Sequence, residues 1–261
     1  MVVDHMTKEW PKILPRKPLV EAIIEIRWGQ EMQPDPAYPI IVGRLYEQVR
    51  AEYGEIEDLP FGQIPAELTV HMARHRFRKS KGGWPLIQIG PGVFTFNETE
   101  GYRRDDFSRR AKELLPKLFQ VHPSPESLKI TSVQLRYINA HPVGYPSENI
   151  LTFLSKKMKT VFTLPQHAFE RTKVGSSPVG LMIQSVFPMQ TPPGVLKLRF
   201  GTGKNKDKPS LVWDIEVQSS GEDVPKMPEG FNAWLDAAHT VAENWFFELV
   251  EGELLDGYLK P

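Results

Sequence analysis

The chain has 261 residues, enough for one large domain or two of ordinary size, and its 40% hydrophobic and 25% charged content suits a packed globule. Lys+Arg and Asp+Glu both number 32, so no global field draws it to nucleic acid or to an anionic membrane; such binding would need a local patch. With no cysteine it has no disulfide, no Cys-ligated zinc, no Fe–S cluster and no cysteine nucleophile.

Residues 1–18 read as a leader, with Trp10, Ile13 and Leu14 placed to dock on the body. Asp4, His5, Lys8, Glu9, Lys12, Arg16 and Lys17 leave it no apolar core, so it is not a secretory signal. No apolar run approaches the roughly 18 residues of a membrane span, so the expected location is cytoplasmic, without membrane contact. Residues 19–29 form the best-patterned strand. Val20, Ala22, Ile24, Ile26 and Trp28 line one face, and Glu21, Ile23, Glu25 and Arg27 the other. After Pro34-Asp35-Pro36, residues 38–53 read as a helix on Ile41, Leu45, Val49 and Tyr53, with Gly54 as its C-terminal glycine.

Residues 55–63 read as an acidic loop, and 66–79 as a strand that turns basic in its second half. Gly82-Gly83 marks a hairpin, 84–89 a strand, Gly90-Pro91-Gly92 a tight turn and 93–97 the returning strand. A helix follows over 102–120, which Pro116 should kink or shorten. Residues 129–140 repeat the opening pattern: Gln134-Leu135-Arg136-Tyr137 echoes Glu25-Ile26-Arg27-Trp28. Next come a helix from Ser147, strands at 174–188, 194–200 and 211–217, and a long helix over 228–255 rich in Trp and Phe.

The order is β-α-β-β-β-α twice, at an offset of roughly 110–125 residues, which predicts an α+β fold with an internally duplicated unit. The units run from 19 to 126 and from 127 to 261, joined in one continuous globule. A curved antiparallel sheet with long helices in this order is the architecture of TATA-binding-protein-like and helix-grip folds, an analogy that carries no function.

Four stretches resemble a sporadically distributed prokaryotic family of uncharacterised proteins of about this length: Pro18 to Trp28, Leu86 to Asn97, Gly101-Tyr102 with Phe107, and Leu135 to Asn139. His239 followed by Trp245-Phe246-Phe247 fits as well. The family pattern has a Trp between Tyr102 and Phe107, where this chain has Arg103-Arg104-Asp105-Asp106. The resemblance implies no activity and no cofactor. Its patchy distribution implies a link to defence or mobile-element complexes.

No catalytic motif stands out. Gly90-Pro91-Gly92 is followed by a strand, not by the helix N-terminus that a phosphate cradle needs, and Gly201-Thr202-Gly203-Lys204 leads to no helix. His71 and His75, four apart on a strand, would lie well over 10 Å apart, too far to share a zinc ion, so no metal site is expected. His239 reads as a hydrogen-bonded structural histidine. There is no nucleophile elbow. Asp214 and Glu216 share a strand face, either as acid–base machinery or, more simply, as a solvated face.

Two surfaces are candidates for binding. The first is a polar seam of Glu21, Glu25, Arg27 and Arg136 between the two units. It reads as an ion-pair ladder worth ~0.2–1 kcal/mol per pair or as an anion site built on arginine forks. The second is a basic hairpin of Arg74, Arg76, Arg78, Lys79 and Lys81 with Phe77 and Trp84, to which Arg103 and Arg104 could add. The expected function is a non-enzymatic binding or adaptor protein acting through a protein partner or as a homo-oligomer. A nucleic-acid-binding module using the basic hairpin is one alternative. The other is a small-ligand protein with a pocket at Trp234, Trp245 and Phe246.

Overall fold

The computed structural model describes residues 10–29, 33–65, 68–99 and 101–261. Nine strands form one antiparallel sheet: β1 (Leu19–Trp28), β2 (Glu55–Asp58), β3 (His75–Arg78), β4 (Leu86–Gly90), β5 (Val93–Glu98), β6 (Ile130–Pro142), β7 (Met182–Gln190), β8 (Pro193–Asn205) and β9 (Lys208–Ser220). Their order across the sheet is β2-β3-β4-β5-β1-β6-β9-β8-β7, so β1 and β6 are central neighbours, each followed outward by its own meander. Six α-helices accompany them among the described residues: α1 (Tyr38–Val49), α2 (Arg104–Val121), α3 (Ile150–Lys157), α4 (Gln166–Thr172), α5 (Phe231–Val250) and α6 (Glu253–Leu259). The class is α+β.

Alternation on the strands decides which face is dry. Ala22, Ile24, Ile26 and Trp28 of β1 are buried, and the register with β6 sets Tyr137, Leu135 and Val133 beside the first three of them. Phe94 and Phe96 from β5 and Ile215 and Val217 from β9 extend this surface. Helical stripes close it: Ile41 and Leu45 of α1, Phe107, Leu114 and Leu118 of α2, and Phe231, Trp234 and Leu235 of α5. Phe107 stacks on Phe96 with centroids 5.1 Å apart. Residues of both halves belong to one hydrophobic cluster, to which Trp10 and Leu14 add. Trp10 stacks on Phe247 at 5.0 Å; Ile13 stays exposed.

Several elements differ from the sequence reading. The 55–63 loop contains β2, because an acidic strand beside a basic one gains opposite-charge neighbours: Glu57 faces Arg76 and Asp58 faces His75. The expected strand over 66–72 is a turn in its described part. Met72 N–H donates to Thr69 O, His71 takes a left-handed φ of 60°, and its N–H donates to Pro91 O. Alternation of Leu68, Val70 and Met72 misleads there, since Leu68 and Met72 face solvent. Ala66 lies outside the described residues.

Gly54 is not in the left-handed region, and α1 ends earlier, at Val49, with Arg50 as its C-terminal cap. Pro116 does not end α2, since Leu114, Leu115 and Leu118 are buried around it. The strand expected from 174 begins only at Met182, and the exposed helix α4 was not foreseen. The last long helix is two, divided at Gly252, whose φ of 109° no L-residue adopts readily.

The Pro91-Gly92 turn joins β4 to β5 and supports the 68–74 turn. A Cβ on Gly92, whose φ is 80°, would lie 2.7 Å from the His71 ring and 2.8 Å from Trp28 O. Gly92→Ala should therefore lower stability by about 2 kcal/mol or more, the backbone term alone being of order 1–2 kcal/mol. Urea denaturation checks this, and an unchanged midpoint would mean the turn is not seated as described.

Candidate functional site

The sheet face turned away from the α1, α2 and α5 core carries the polar seam and most of the charge. All four seam residues lie on it: Glu21 opposite Ile138, Glu25 opposite Gln134, Arg27 opposite Ser132, and Arg136 opposite Ile23. Their ion pairs run away from the β1–β6 junction. Arg27 Nε donates to Glu25 Oε1 on its own strand at 2.7 Å, and Glu21 accepts from Asn97 on β5 at 2.7 Å. Arg136 turns outward to β9 and donates from Nε to Asp214 Oδ2 at 2.9 Å and from Nη2 to the same oxygen. The ladder expected between the units is thus absent among the described residues. Backbone pairing and the buried contacts of Ile24 with Leu135 hold that seam.

Asp214 and Glu216 are not a solvated face, each being only 5% exposed. Arg136 and Arg199 converge on Asp214, the second at 3.4 Å, while Lys197 Nζ donates to Glu216 at 2.7 Å and to Gln218 at 2.5 Å. Both carboxylates have cations at hydrogen-bonding distance, so they form a compensated structural network and not a free acid–base pair. Each is flanked by long cationic side chains from neighbouring strands, which a reading of β9 alone could not reveal.

In the basic hairpin, Arg76 and Arg78 are likewise compensated. Glu57 receives Arg78 Nε at 2.9 Å and Arg76 Nη1 at 3.3 Å. Those contacts hold the Glu57 carboxyl below its usual range, the Arg78 hydrogen bond contributing most. Arg74 donates from Nη2 to the carbonyls of Gly62 and Ile64, and the Arg78 guanidinium lies 5.6 Å from the centre of the Trp84 ring. Phe77 is buried in the core; Lys79 and Lys81 are exposed. Arg103 and Arg104 do not join them. Arg104 pairs with Glu243 of α5 on the helical side at 3.1 Å, whereas Arg76 and Arg78 lie on the opposite face of the sheet.

The pocket expected at the last helix is divided. Trp234 is buried, with Nε1 donating to Ser219 Oγ at 2.8 Å. Trp245 stands outside, stacked on Phe187 of β7 at 5.8 Å. His239 Nδ1 lies 2.7 Å from Tyr137 Oη in a buried cluster with Tyr102, a structural setting. Among the described residues no group of His, Asp and Glu is arranged to hold a metal ion.

What the sequence reading passed over is the β7 end of the sheet. Met182 is 85% exposed, Phe187 41% and Trp245 37%, and the preceding chain leaves Val161, Leu164, Val174 and Val179 exposed too. Helix α4 has no buried residue. The one signal available was that residues 182–190 contain no charge. At the other edge, β2 is four residues long with Glu55, Glu57 and Asp58.

No family model and no curated protein matches this sequence. Among solved structures, the di-domain ARO/CYC StfQ from the steffimycin biosynthetic pathway is similar over 89% of this chain and 97% of that chain, at 9% identity and a TM-score of 0.24. At that score the likeness carries no argument about fold or function.

Asp214→Asn removes the carboxylate shared by Arg136 and Arg199 and should cost about 2 kcal/mol, below the ~3–5 kcal/mol of a fully buried broken pair because both arginines are partly exposed. Arg27→Ala, which loses only a part-exposed pair, should cost under about 1 kcal/mol. Equal effects in urea denaturation would contradict this ranking. His75 is held below the usual imidazole range, first by burial and then by Arg74, against the opposing pull of Asp58. His141 is lowered by burial against Glu148. A lowered folded pKa means the unfolded chain binds the proton first, so this stability is complete above the ordinary value of 6.5 and lost as pH falls below it. Glu98, raised by burial, acts in the opposite sense above 4.5. Folding free energy measured from pH 7.5 downward should decline, and His75→Gln should flatten the decline; a slope unchanged by that substitution would refute the assignment.

Proposed function

We propose that the chain is a non-enzymatic binding protein of the adaptor type, working through protein–protein contacts, and that its first contact is with a second copy of itself along β7. The observation that carries this reading is the uncharged, apolar edge strand from Met182 to Gln190, continuous with the Phe187–Trp245 stack. A long exposed edge with Met182, Val186 and Phe187 turned to solvent invites strand addition; folded proteins ordinarily blunt such edges with charge or proline, and where β2 carries three carboxylates β7 has no charge and a single proline, Pro188. Two copies of β7 related by a twofold axis oppose no like charges in any antiparallel register, because the strand has none. The exposed side chains of 161–179 would extend the contact.

Among the described residues the first half has five strands where the sequence pattern gave four, the extra one being β2, and the second half has four. In each half the last strand lies beside the first, β5 by β1 and β9 by β6, and that shared order supports the further reading that the chain is an internal duplication of a helix-grip-like or TATA-binding-protein-like unit. The nucleic-acid alternative gains nothing from the polar face, where Glu57, Glu25, Asp214 and Glu216 stand beside the cations.

Light scattering after size exclusion should give a dimer mass at micromolar concentration for the natural chain. The double variant Val186→Lys, Phe187→Glu should give a monomer with unchanged circular dichroism. A natural chain that stays monomeric, or a dimer indifferent to both substitutions, would overturn the β7 assignment. A natural monomer that captures a different protein through β7 would retain the adaptor reading and remove the self-pairing.

A further inference from the structure

Away from the polar face and from β7, a cleft of about 670 Å³ opens between the start of α1, the 58–62 turn and the start of β3. Its size falls in the range of small-molecule sites, roughly 300–1,000 Å³. Pro34, Pro36, Pro39 and Pro91 give it stiff apolar walls, with Val42 of α1 among them. A line of polar groups crosses it. Tyr38 Oη lies 2.5 Å from His75 Nδ1, and His75 Nε2 lies 3.2 Å from Asp58 Oδ1. The Asp58 carboxylate accepts from the Nε2–H of the ring, so Nδ1 accepts from the tyrosine and both ring nitrogens are occupied.

Two charges in the cleft are not spent on each other. The Asp58 side chain is 86% exposed, and among the described residues its ion pair is with one edge of the His75 imidazole. Arg74 is fixed by its two carbonyl contacts through Nη2, which leave its net charge intact, and no carboxylate pairs with it among the described residues. Asp35, also on the wall, is already engaged by Trp28 Nε1 at 2.6 Å and by the Ala37 N–H at 2.8 Å. A purely anionic ligand would meet Asp58; a purely cationic one would meet Arg74. A zwitterion with an apolar body satisfies both ends and the proline walls.

We infer that this cleft is a binding site for a free amino acid with a large apolar side chain, its carboxylate on Arg74 and its ammonium on Asp58. The site is independent of the β7 contact.

Calorimetric titration with three probes tests this: L-phenylalanine, 3-phenylpropionate, which keeps only the carboxylate, and 2-phenylethylamine, which keeps only the ammonium. Phenylalanine should bind at least about tenfold more tightly than either analogue, a difference of about 1.4 kcal/mol. Asp58→Asn, at an exposed position, should weaken phenylalanine and phenylethylamine about tenfold and leave phenylpropionate unchanged. Arg74→Gln should do the converse. Because Arg74 also holds the 62–64 carbonyls, Val42→Trp serves as a second variant: it fills the cleft without removing a polar group and should abolish binding of all three probes. No binding of phenylalanine, binding no tighter than either analogue, or binding that survives Val42→Trp would each overturn the proposal.

Discussion

The antiparallel pairing of β1 with β6 is the constraint on which the rest of the structure depends. It joins two runs of strands into one sheet and sets the register of both. Because side chains alternate with a period of two, a one-residue slip at this junction would send Gln134 and Arg136 into the core and Leu135 and Tyr137 out of it. Burial of Ile24 and Leu135 side by side forbids that slip, and everything outward of β1 and β6 inherits the result. Asp214 meets Arg136 through the β6–β9 register, and Glu216 meets Lys197 through the β8–β9 register.

The two surfaces of the sheet solve different problems. One is covered by helices. The other has a set of crossed contacts from β2 to β8 in which each named carboxylate has a cation or an amide beside it: Glu57 with Arg76 and Arg78, Glu21 with Asn97, Glu25 with Arg27, Asp214 with Arg136 and Arg199, and Glu216 with Lys197. Ion pairs of this kind add little net stability when part-exposed, but they neutralise the arginines and the lysine named here. The unmet surface lies elsewhere, at the charge-free β7 strand and the chain that leads into it.

Much of this was legible in the residues. The alternation in 19–28, the helical stripe of Ile41, Leu45 and Val49, the Gly90-Pro91-Gly92 turn and the closing aromatic helix all appear where local pattern places them, because burial of one face or stripe leaves a periodic trace. What was not legible depends on neighbours remote in sequence. Strand β2 is acidic and reads as a loop until Arg76 and Arg78 are beside it. Asp214 looks solvated until arginines from β6 and β8 close over it. Leu68, Val70 and Met72 alternate without forming a strand, because the turn at His71 docks on Pro91 instead. The Tyr38–His75–Asp58 line joins α1, β3 and β2, and none of the three announces the others.

The sheet has two unlike edges, a short acidic one at β2 and a long uncharged one at β7, which we propose pairs with a second copy. Backbone hydrogen exchange of β7 amides, followed across a range of protein concentrations, tests this most directly. Protection along 182–190 should rise with concentration while β2 amides exchange at a constant rate and β1 and β6 amides remain the slowest at every concentration. Outward-facing β7 amides that exchange equally fast from dilute to concentrated solution would contradict the account.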